Sequence, residues 1–127
     1  MQILMPIASR SQFFPEQEYF FPKPLIEIAG KPMIDSVVSA LKTSIKGARF
    51  CFIISSDDAR QFSLDETLRI IGGPHTKVVQ RAGETKGGLC SALLAGDELD
   101  LEKPLVICNS DQIIDVPLMD ILSKFQE

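Results

Sequence analysis

The hydrophobic positions of this 127-residue chain fall into short continuous runs that are separated by segments with helical spacing. The runs at residues 3–8, 49–54 and 105–108 have strand length, and continuous apolar runs are typical of parallel strands covered on both faces. Residues 77–80 are predicted to form a further short strand. Helices are predicted for residues 33–43, 63–71, 89–95 and 116–125. This alternation predicts an α/β domain with a mostly parallel sheet and helices on both faces.

Turn and capping residues refine the boundaries of these elements. Ser63, with Glu66 three residues later, predicts a capping box at a helix start, and residues 72–74 predict the end of that helix. The polar residues 55–58 are predicted to form a turn. Prolines on either side of Lys23 predict extended backbone there, and Pro32 stands where a helix could begin.

Polar stretches that could carry chemistry follow three of the predicted strands, at residues 8–11, 80–88 and 109–112. The ligand crevice of a parallel α/β sheet lies outside the carboxyl ends of its strands, so these stretches could face one site. Asp111 directly follows an apolar strand, where a carboxylate can bind Mg²⁺ with nucleotide phosphates or can simply cap a turn. Lys23 could meet a phosphate or be an ordinary solvated lysine.

The segment Pro22-Lys-Pro-Leu-Ile-Glu-Ile-Ala-Gly-Lys-Pro-Met-Ile34 closely resembles the one that follows the phosphate loop in sugar-phosphate nucleotidylyltransferases. The resemblance implies a three-layer, Rossmann-like (GT-A-like) fold. It also implies an enzyme that transfers a nucleoside monophosphate from a nucleoside triphosphate to a sugar phosphate or related phosphate and releases pyrophosphate. The segment Asn109-Ser-Asp-Gln112 resembles the corresponding segment in the branch of this family that makes capsule and other surface-polysaccharide precursors. Residues 1–127 would then be a single nucleotide-binding domain, the N-terminal part of a longer fold.

The resemblance also implies roles for individual residues. Lys23 would hold a phosphate, and Asp111 would bind Mg²⁺. Arg10 is the candidate replacement for the arginine of the family's phosphate loop, with a solvated loop residue as the alternative. Gln80 would read the edge of the base, and Gly87 would let the base pack on the backbone. The full set of implied nucleotide-binding positions is Ala8, Ser9, Ser11, Gln80, Thr85, Gly87 and Asn109.

The phosphate loop departs from the family pattern. The family has Gly-x-Gly-Ser/Thr-Arg-Phe/Leu after its first strand, whereas residues 9–14 read Ser-Arg-Ser-Gln-Phe-Phe. A serine at a glycine position with positive φ is strained by about 1 kcal/mol or more, and its side chain occupies space that phosphate oxygens would need. Two functions therefore stay open: a nucleotidyltransferase, and a non-catalytic module that binds a nucleotide or nucleotide sugar.

Composition and charge limit the classes of partner that this protein is expected to bind. The net charge is −4 and no basic stripe is present, which argues against nucleic acid. No apolar run approaches membrane-spanning length and no signal peptide is visible, so we expect a cytoplasmic protein without a membrane partner. Cys51, Cys90 and Cys108 lie in apolar runs and are predicted to be buried free thiols. A second copy could cover the sheet edge after the Leu105 strand, which makes a homodimer a candidate assembly.

Overall fold

The computed structural model describes residues 1–7, 23–83 and 88–125. Its strands are β1 (Gln2–Pro6), β2 (Glu27–Ile28), β3 (Lys31–Pro32), β4 (Arg49–Ser55), β5 (Lys77–Arg81) and β6 (Leu105–Ile107). Its helices are α1 (Met33–Ser44), α2 (Ser56–Phe62), α3 (Leu64–Gly72), α4 (Gly88–Leu93) and α5 (Leu118–Ser123). Short 3-10 turns cover Lys23–Leu25 and Gly96–Glu98.

Four of the strands form one parallel sheet in the order β5-β4-β1-β6. β1 pairs with β4 on one side, from Gln2 opposite Arg49 to Pro6 opposite Ile53. It pairs with β6 on the other side, where Leu4 lies opposite Ile107. The predicted α/β class with a mostly parallel sheet is confirmed.

Both faces of β1 and β4 are buried, which explains why these strands lack polar alternation. On one face, alternate residues of the two strands pack against α1 and α3, and the rings of Phe50 and Phe52 stack with centroids 5.8 Å apart. On the other face, Leu4, Cys51 and Ile53 pack against Ala92 and Ala95, at and just after the end of α4. The sheet is therefore the middle layer of three.

Helix α1 forms where its apolar spacing predicts it. Its buried residues are Met33, Ile34, Val37, Val38 and Leu41. They recur three and four residues apart and so form one face toward the sheet. The helix is tied to α3 by Lys42, whose Nζ donates a hydrogen bond to the Ile71 carbonyl at 2.6 Å.

The turn predicted at residues 55–58 is wrong, because helix α2 begins there. The Ser55 hydroxyl accepts a hydrogen bond from the Asp57 amide at 3.1 Å, and Asp57 and Asp58 lie in the first turn, where acidic residues favour the helix dipole. The capping box predicted at Ser63 is also wrong. Ser63 has left-handed backbone angles (φ 52°, ψ 37°) and makes no side-chain capping bond. Ser63 joins the end of α2 to the start of α3. A residue that caps a helix through its side chain typically has extended backbone, and Ser63 does not.

The extended backbone predicted around Lys23 is wrong as well, since Lys23–Leu25 forms a 3-10 turn that packs against α1. Proline fixes φ near −65°, a value that such a turn also uses, so Pro24 does not oppose it. The β2–β3 hairpin follows, with positive φ at both Ala29 and Gly30 in its turn. The hairpin leads into α1, which begins directly after Pro32, as Pro32 predicted.

Only one of the three cysteines is fully buried. Cys51 lies in the centre of the sheet, Cys108 is partly buried, and Cys90 is exposed. The prediction is wrong for Cys90 because the end of α4 buries Ser91 and Ala92 and leaves Cys90 on its outer side. Within the three described ranges, no helix has both the length and the apolar character needed to cross a membrane.

Candidate functional site

Three of the predicted site residues, Gln80, Asn109 and Asp111, lie at the carboxyl edge of the sheet. Gln80, the penultimate residue of β5, lies opposite Ile54 of β4. On the opposite side of the sheet, the Cys108 backbone amide just after β6 donates a hydrogen bond to the Leu4 carbonyl at 3.0 Å. Asn109 and Asp111 follow Cys108. All four strands are parallel, so their carboxyl ends meet at this edge. Placing Gln80 and Asp111 on the same edge agrees with the crevice expected for such sheets.

The strand order sets the distance between these residues. β5 and β6 are the outer strands of the described sheet, with β4 and β1 between them. Three inter-strand steps of about 4.8 Å separate the outer strands by roughly 14 Å. The segments that carry Gln80 and Asp111 therefore start from opposite sides of this edge. A ligand that uses both must extend across the tips of β4 and β1.

At the β5 end of the carboxyl edge, burial and a hydrogen bond fix the position of the strand tip. Gln80 is exposed, whereas its neighbour Arg81 is buried. The Ser56 hydroxyl donates a hydrogen bond to the Arg81 carbonyl at 3.0 Å, which ties the tip of β5 to the start of α2. Side chains alternate along a strand, so burying Arg81 turns Gln80 toward the opposite face. The exposed amide of Gln80 is thus available to a base or another polar ligand.

The β6 end offers hard oxygen ligands. Asn109 and Asp111 are both exposed, and the Asn109 Nδ2 donates to the Gln112 Oε1 at 3.2 Å. That hydrogen bond leaves the Asn109 Oδ1 as an acceptor next to the Asp111 segment. Next to them, burial raises the pKa of the Cys108 thiol, so this sulfur stays protonated at neutral pH when no metal is bound.

These oxygens fit a magnesium ion of the kind that is shared with phosphates. The described residues contain no cluster of three or more His, Cys, Asp or Glu side chains that could hold a metal by themselves. Mg²⁺ commonly keeps several waters and takes one or two protein carboxylates together with substrate phosphates. Asp111, with an amide oxygen nearby, suits that arrangement and does not suit an all-protein metal cage.

The remaining predicted site residues are only partly described. The backbone of Lys23 begins the 3-10 turn beside α1. Outside the described residues lie Ala8, Ser9, Arg10, Ser11, Thr85 and Gly87. The convergence of Lys23, Gln80 and Asp111 on one triphosphate therefore stays a prediction.

Two cavities were not predicted from the sequence. One of about 460 Å³ lies at the amino ends of β1, β4 and β5, lined in part by Arg49, Lys77 and Glu98, and so at the opposite edge from the candidate site. Another of about 290 Å³ lies between α1, β6 and α5, and Asn109 and Gln112 line it beside apolar residues. The signal for the second was the apolar pair Ile113–Ile114 directly after the polar segment. No sequence pattern marks the first.

Comparisons with known proteins place the fold. No family model and no curated protein matches the chain. Among solved structures, a nucleoside-diphosphate-sugar pyrophosphorylase from Vibrio cholerae RC9 is similar with a TM-score of 0.67 and 20% identity, covering 87% of this chain and 47% of that one. HddC from Yersinia pseudotuberculosis is similar with a TM-score of 0.73 and 16% identity, covering 99% of this chain and 54% of that one. A UDP-glucose pyrophosphorylase from Acinetobacter baumanii is similar with a TM-score of 0.63 and 18% identity, covering 86% of this chain and 45% of that one.

The similar structures define the architecture and its extent. The chain spans about half the length of each of them. HddC has also been solved with GMP-PN, and a UDP-glucose pyrophosphorylase with UDP-glucose. At these levels of identity the likeness shows a shared fold, which agrees with the α/β sheet described above.

Proposed function

We propose that this chain is the nucleotide-binding half of a nucleotidyltransferase that acts on a sugar phosphate or a related phosphate. The observation that carries the proposal is the carboxyl edge of the sheet, where Gln80 lies near the end of one outer strand and Asn109 and Asp111 follow the other. This edge belongs to a fold that is shared with nucleotide-sugar pyrophosphorylases. Residues 1–127 would act as one domain, with the acceptor bound by a part of the fold that lies beyond the matched half.

The roles of the residues follow from their places along the edge. Gln80 would hydrogen-bond the base, whereas Asp111 and Asn109 would lie near the phosphates about three strands away. Lys23 would neutralise phosphate charge. In the reaction, an oxygen of the acceptor phosphate attacks the α-phosphorus in line. The bond from the α-phosphorus to the bridging oxygen breaks, and pyrophosphate leaves with that electron pair. When bound at Asp111, Mg²⁺ would supply positive charge to the phosphates.

The capsule-related specificity belongs to the same proposal. The sequence Asn109-Ser-Asp-Gln112 suggests an acceptor from surface-polysaccharide synthesis. A cytoplasmic location would place the protein with nucleoside triphosphates and sugar phosphates. The acceptor specificity is tested by which sugar phosphate supports pyrophosphate release.

A second function is favoured by a specific feature of the sequence. Ser9 and Ser11 stand where the family has glycines, and Phe13 stands where it has arginine. A loop without that arginine loses a charge clamp that is worth several powers of ten in rate in other phosphoryl-transfer enzymes. The alternative is therefore a non-catalytic module that binds a nucleotide or nucleotide sugar at the same edge.

Binding and catalysis are separated by two measurements on the protein at its full length. Calorimetric titration with each nucleoside triphosphate and Mg²⁺ tests the site, and a pyrophosphate-release assay with a panel of sugar phosphates tests transfer. Binding with release supports the transferase, and binding without release supports the non-catalytic module. Absence of binding to every nucleotide and nucleotide sugar would contradict both.

Asp111→Asn tests the metal role. We expect it to weaken Mg²⁺–nucleotide binding by about tenfold or more, because it removes the carboxylate while keeping the side-chain size. Affinity measured without Mg²⁺ should change little. Asp120→Asn is the matched control, since Asp120 is an exposed acid on α5. Equal losses in the two variants, or no loss at Asp111, would show that Asp111 is not the metal ligand.

A further inference from the structure

The larger of the two cavities lies at the amino edge of the sheet, where β1, β4 and β5 begin. Its volume of about 460 Å³ falls within the range of about 300–1,000 Å³ that is typical of small-molecule sites. Its lining residues lie between positions 2 and 103, and none belongs to β6 or α5. The walls of this cavity are therefore formed within the described residues, apart from the outer edge of the sheet at β6.

The register of the strands places two cations on one face of the sheet at this edge. Cys51 of β4 pairs with Lys77 of β5, and Arg49 precedes Cys51 by two residues. Side chains two residues apart on a strand point to the same face, so Arg49 and Lys77 share the face of Cys51. Strand spacings of about 4.8 Å and about 3.3 Å per residue place their Cα atoms roughly 8 Å apart. Lys103 lines the same cavity from the loop before β6.

Hydrogen bonds fix one wall of the cavity, residues 98–103. The Gln2 Nε2 donates to the Asp100 carbonyl at 2.8 Å, and the Asp100 amide donates to the Gln2 Oε1 at 2.7 Å. The Lys77 Nζ donates to the Glu98 carbonyl at 2.9 Å. These bonds attach the wall to β1 and β5. The cavity is thus formed before a ligand binds, which lowers the entropy that binding would cost.

The ion pairs in the lining leave Arg49 for a ligand. The Glu98 carboxylate lies 3.9 Å from the Lys77 Nζ, and the Asp100 carboxylate lies 3.5 Å from the Lys103 Nζ. Within the described ranges, no carboxylate pairs with Arg49. Three cations and two carboxylates give the lining an excess of one positive charge. The charge of the cavity therefore suits an anion.

The floor of the cavity does not oppose an anion at neutral pH. Burial, and then the Glu98 carboxylate, raises the pKa of Cys51 to about 11, so its thiol stays protonated. Cys51 and the partly buried Leu99 form an apolar surface beside the charged groups. The described residues contain no group of three His, Cys, Asp or Glu side chains that could hold a metal ion. The lining therefore favours an anion with a small organic body over a metal ion.

We propose that this cavity is a second binding site, for a small organic molecule that carries a phosphate or carboxylate group. The Arg49 guanidinium would donate two parallel hydrogen bonds to oxygens of that group. Lys77 and Lys103 would flank it, because their ion pairs are exposed to solvent and therefore weak. The organic body would pack on Cys51 and Leu99.

The site is separate from the carboxyl edge. β4 runs for seven residues from Arg49 to Ser55, and a rise of about 3.3 Å per residue separates its ends by roughly 20 Å. A molecule small enough for the cavity cannot span that distance. The two ends of the sheet would therefore bind different molecules, and binding at one end can be measured apart from binding at the other.

An NMR titration of the protein at its full length locates the binding. The probes are inorganic phosphate, glucose 6-phosphate and gluconate, which separate the anion from the organic body and a phosphate from a carboxylate. We expect the amide signals of Arg49, Lys77 and Glu98 to shift with a dissociation constant of about 1 mM or tighter for at least one organic probe. Inorganic phosphate should bind there more weakly.

Three results of the titration would overturn the proposal. The first is that no probe shifts the cavity amides, as expected if another segment of the full-length chain fills the cavity. The second is that the shifts are confined to the carboxyl edge, at Gln80 and Asp111. The third is that inorganic phosphate binds in the cavity as tightly as both organic probes.

Two substitutions that remove one positive charge test the role of Arg49. Arg49→Gln should raise the dissociation constant of the tightest probe about tenfold or more, because it removes the paired donors. Lys46→Gln is the matched control, since Lys46 is exposed in the turn before β4 and does not line the cavity. It should change the constant less than about twofold, because solvent and salt screen its charge.

Equal losses in the two variants would show only a general attraction between charges and would overturn the proposal. An unchanged constant in Arg49→Gln would overturn it too. Lys103→Gln keeps the test decisive if Arg49→Gln does not fold. This variant should raise the constant about threefold, and no change would contradict the site.

Discussion

The centre of the sheet and its β6 edge contain similar apolar residues, but only the centre buries them. Ile3, Leu4 and Met5 of β1 have no exposed surface, whereas Leu105 is 41% and Ile107 is 56% exposed. From residue 105 to residue 125 no side chain is fully buried. The difference lies in the neighbours. β1 has a strand on each side and helices over both faces, and β6 has one described strand beside it.

The comparison shows that burial depends on the position of a strand in the sheet more than on its side chains. An isolated run of valine, leucine and isoleucine contributes stability only where other groups exclude water from it. The same edge that leaves β6 uncovered also presents Asn109 and Asp111 to solvent. The exposure of the candidate site and of the apolar residues on β6 therefore arises from one structural feature.

Alanine substitutions give the largest expected contrast between the two regions. Phe52→Ala should lower the free energy of unfolding by about 3–5 kcal/mol, because Phe52 is fully buried and stacks on Phe50. Ile107→Ala should lower it by less than about 1 kcal/mol in the monomer, since much of its surface is already in water. Urea unfolding at low protein concentration measures both. Similar losses at the two sites would contradict the contrast.

The buried thiols extend the comparison to pH. Burial, and then the nearby Glu98 carboxylate, raises the pKa of Cys51 from 9.0 to about 11, partly offset by Lys77. Between these values the unfolded chain has lost the thiol proton and the folded chain retains it. Stability should therefore fall as pH rises from about 9 toward about 11. Unfolding curves at a series of pH values should show a weaker decline for Cys51→Ala than for the parent.

Cys108 provides the edge counterpart of that experiment. Burial also raises the pKa of the Cys108 thiol, but this residue is only partly buried. Cys108→Ala should change the alkaline decline less than Cys51→Ala does. Lysine and tyrosine titrations are common to all three proteins and cancel in the difference. An equal or larger effect at Cys108 would show that the edge is covered as well as the centre.

The smallest expected effect lies within the well-packed region. Ser63 has left-handed backbone angles and no side-chain capping bond, so its side chain adds strain without a compensating contact. Ser63→Gly should raise the free energy of unfolding by up to about 1 kcal/mol, partly offset by the greater freedom of glycine in the unfolded chain. Ser63→Ala, which keeps the Cβ, should give no gain. A loss of stability in the glycine variant would reveal a role for the hydroxyl.

Local patterns in the sequence determined the elements of this protein. Unbroken apolar runs identified β1, β4 and β6, and helical spacing identified α1. The same patterns placed Gln80 at the end of one strand and Asn109 and Asp111 after another, and parallel pairing then puts them at one edge of the sheet.

Only the tertiary structure decided how far apart these residues lie and which surfaces stay open. The order β5-β4-β1-β6 places Gln80 and Asp111 at opposite sides of the edge and leaves β6 outermost in the described sheet. It also decided the left-handed Ser63 between two helices, the 3-10 turn at Lys23–Leu25 and the exposure of Cys90. Each of these depends on residues that are distant in sequence but adjacent in space. Periodicity records how one segment is buried and carries no information about which segment lies beside it.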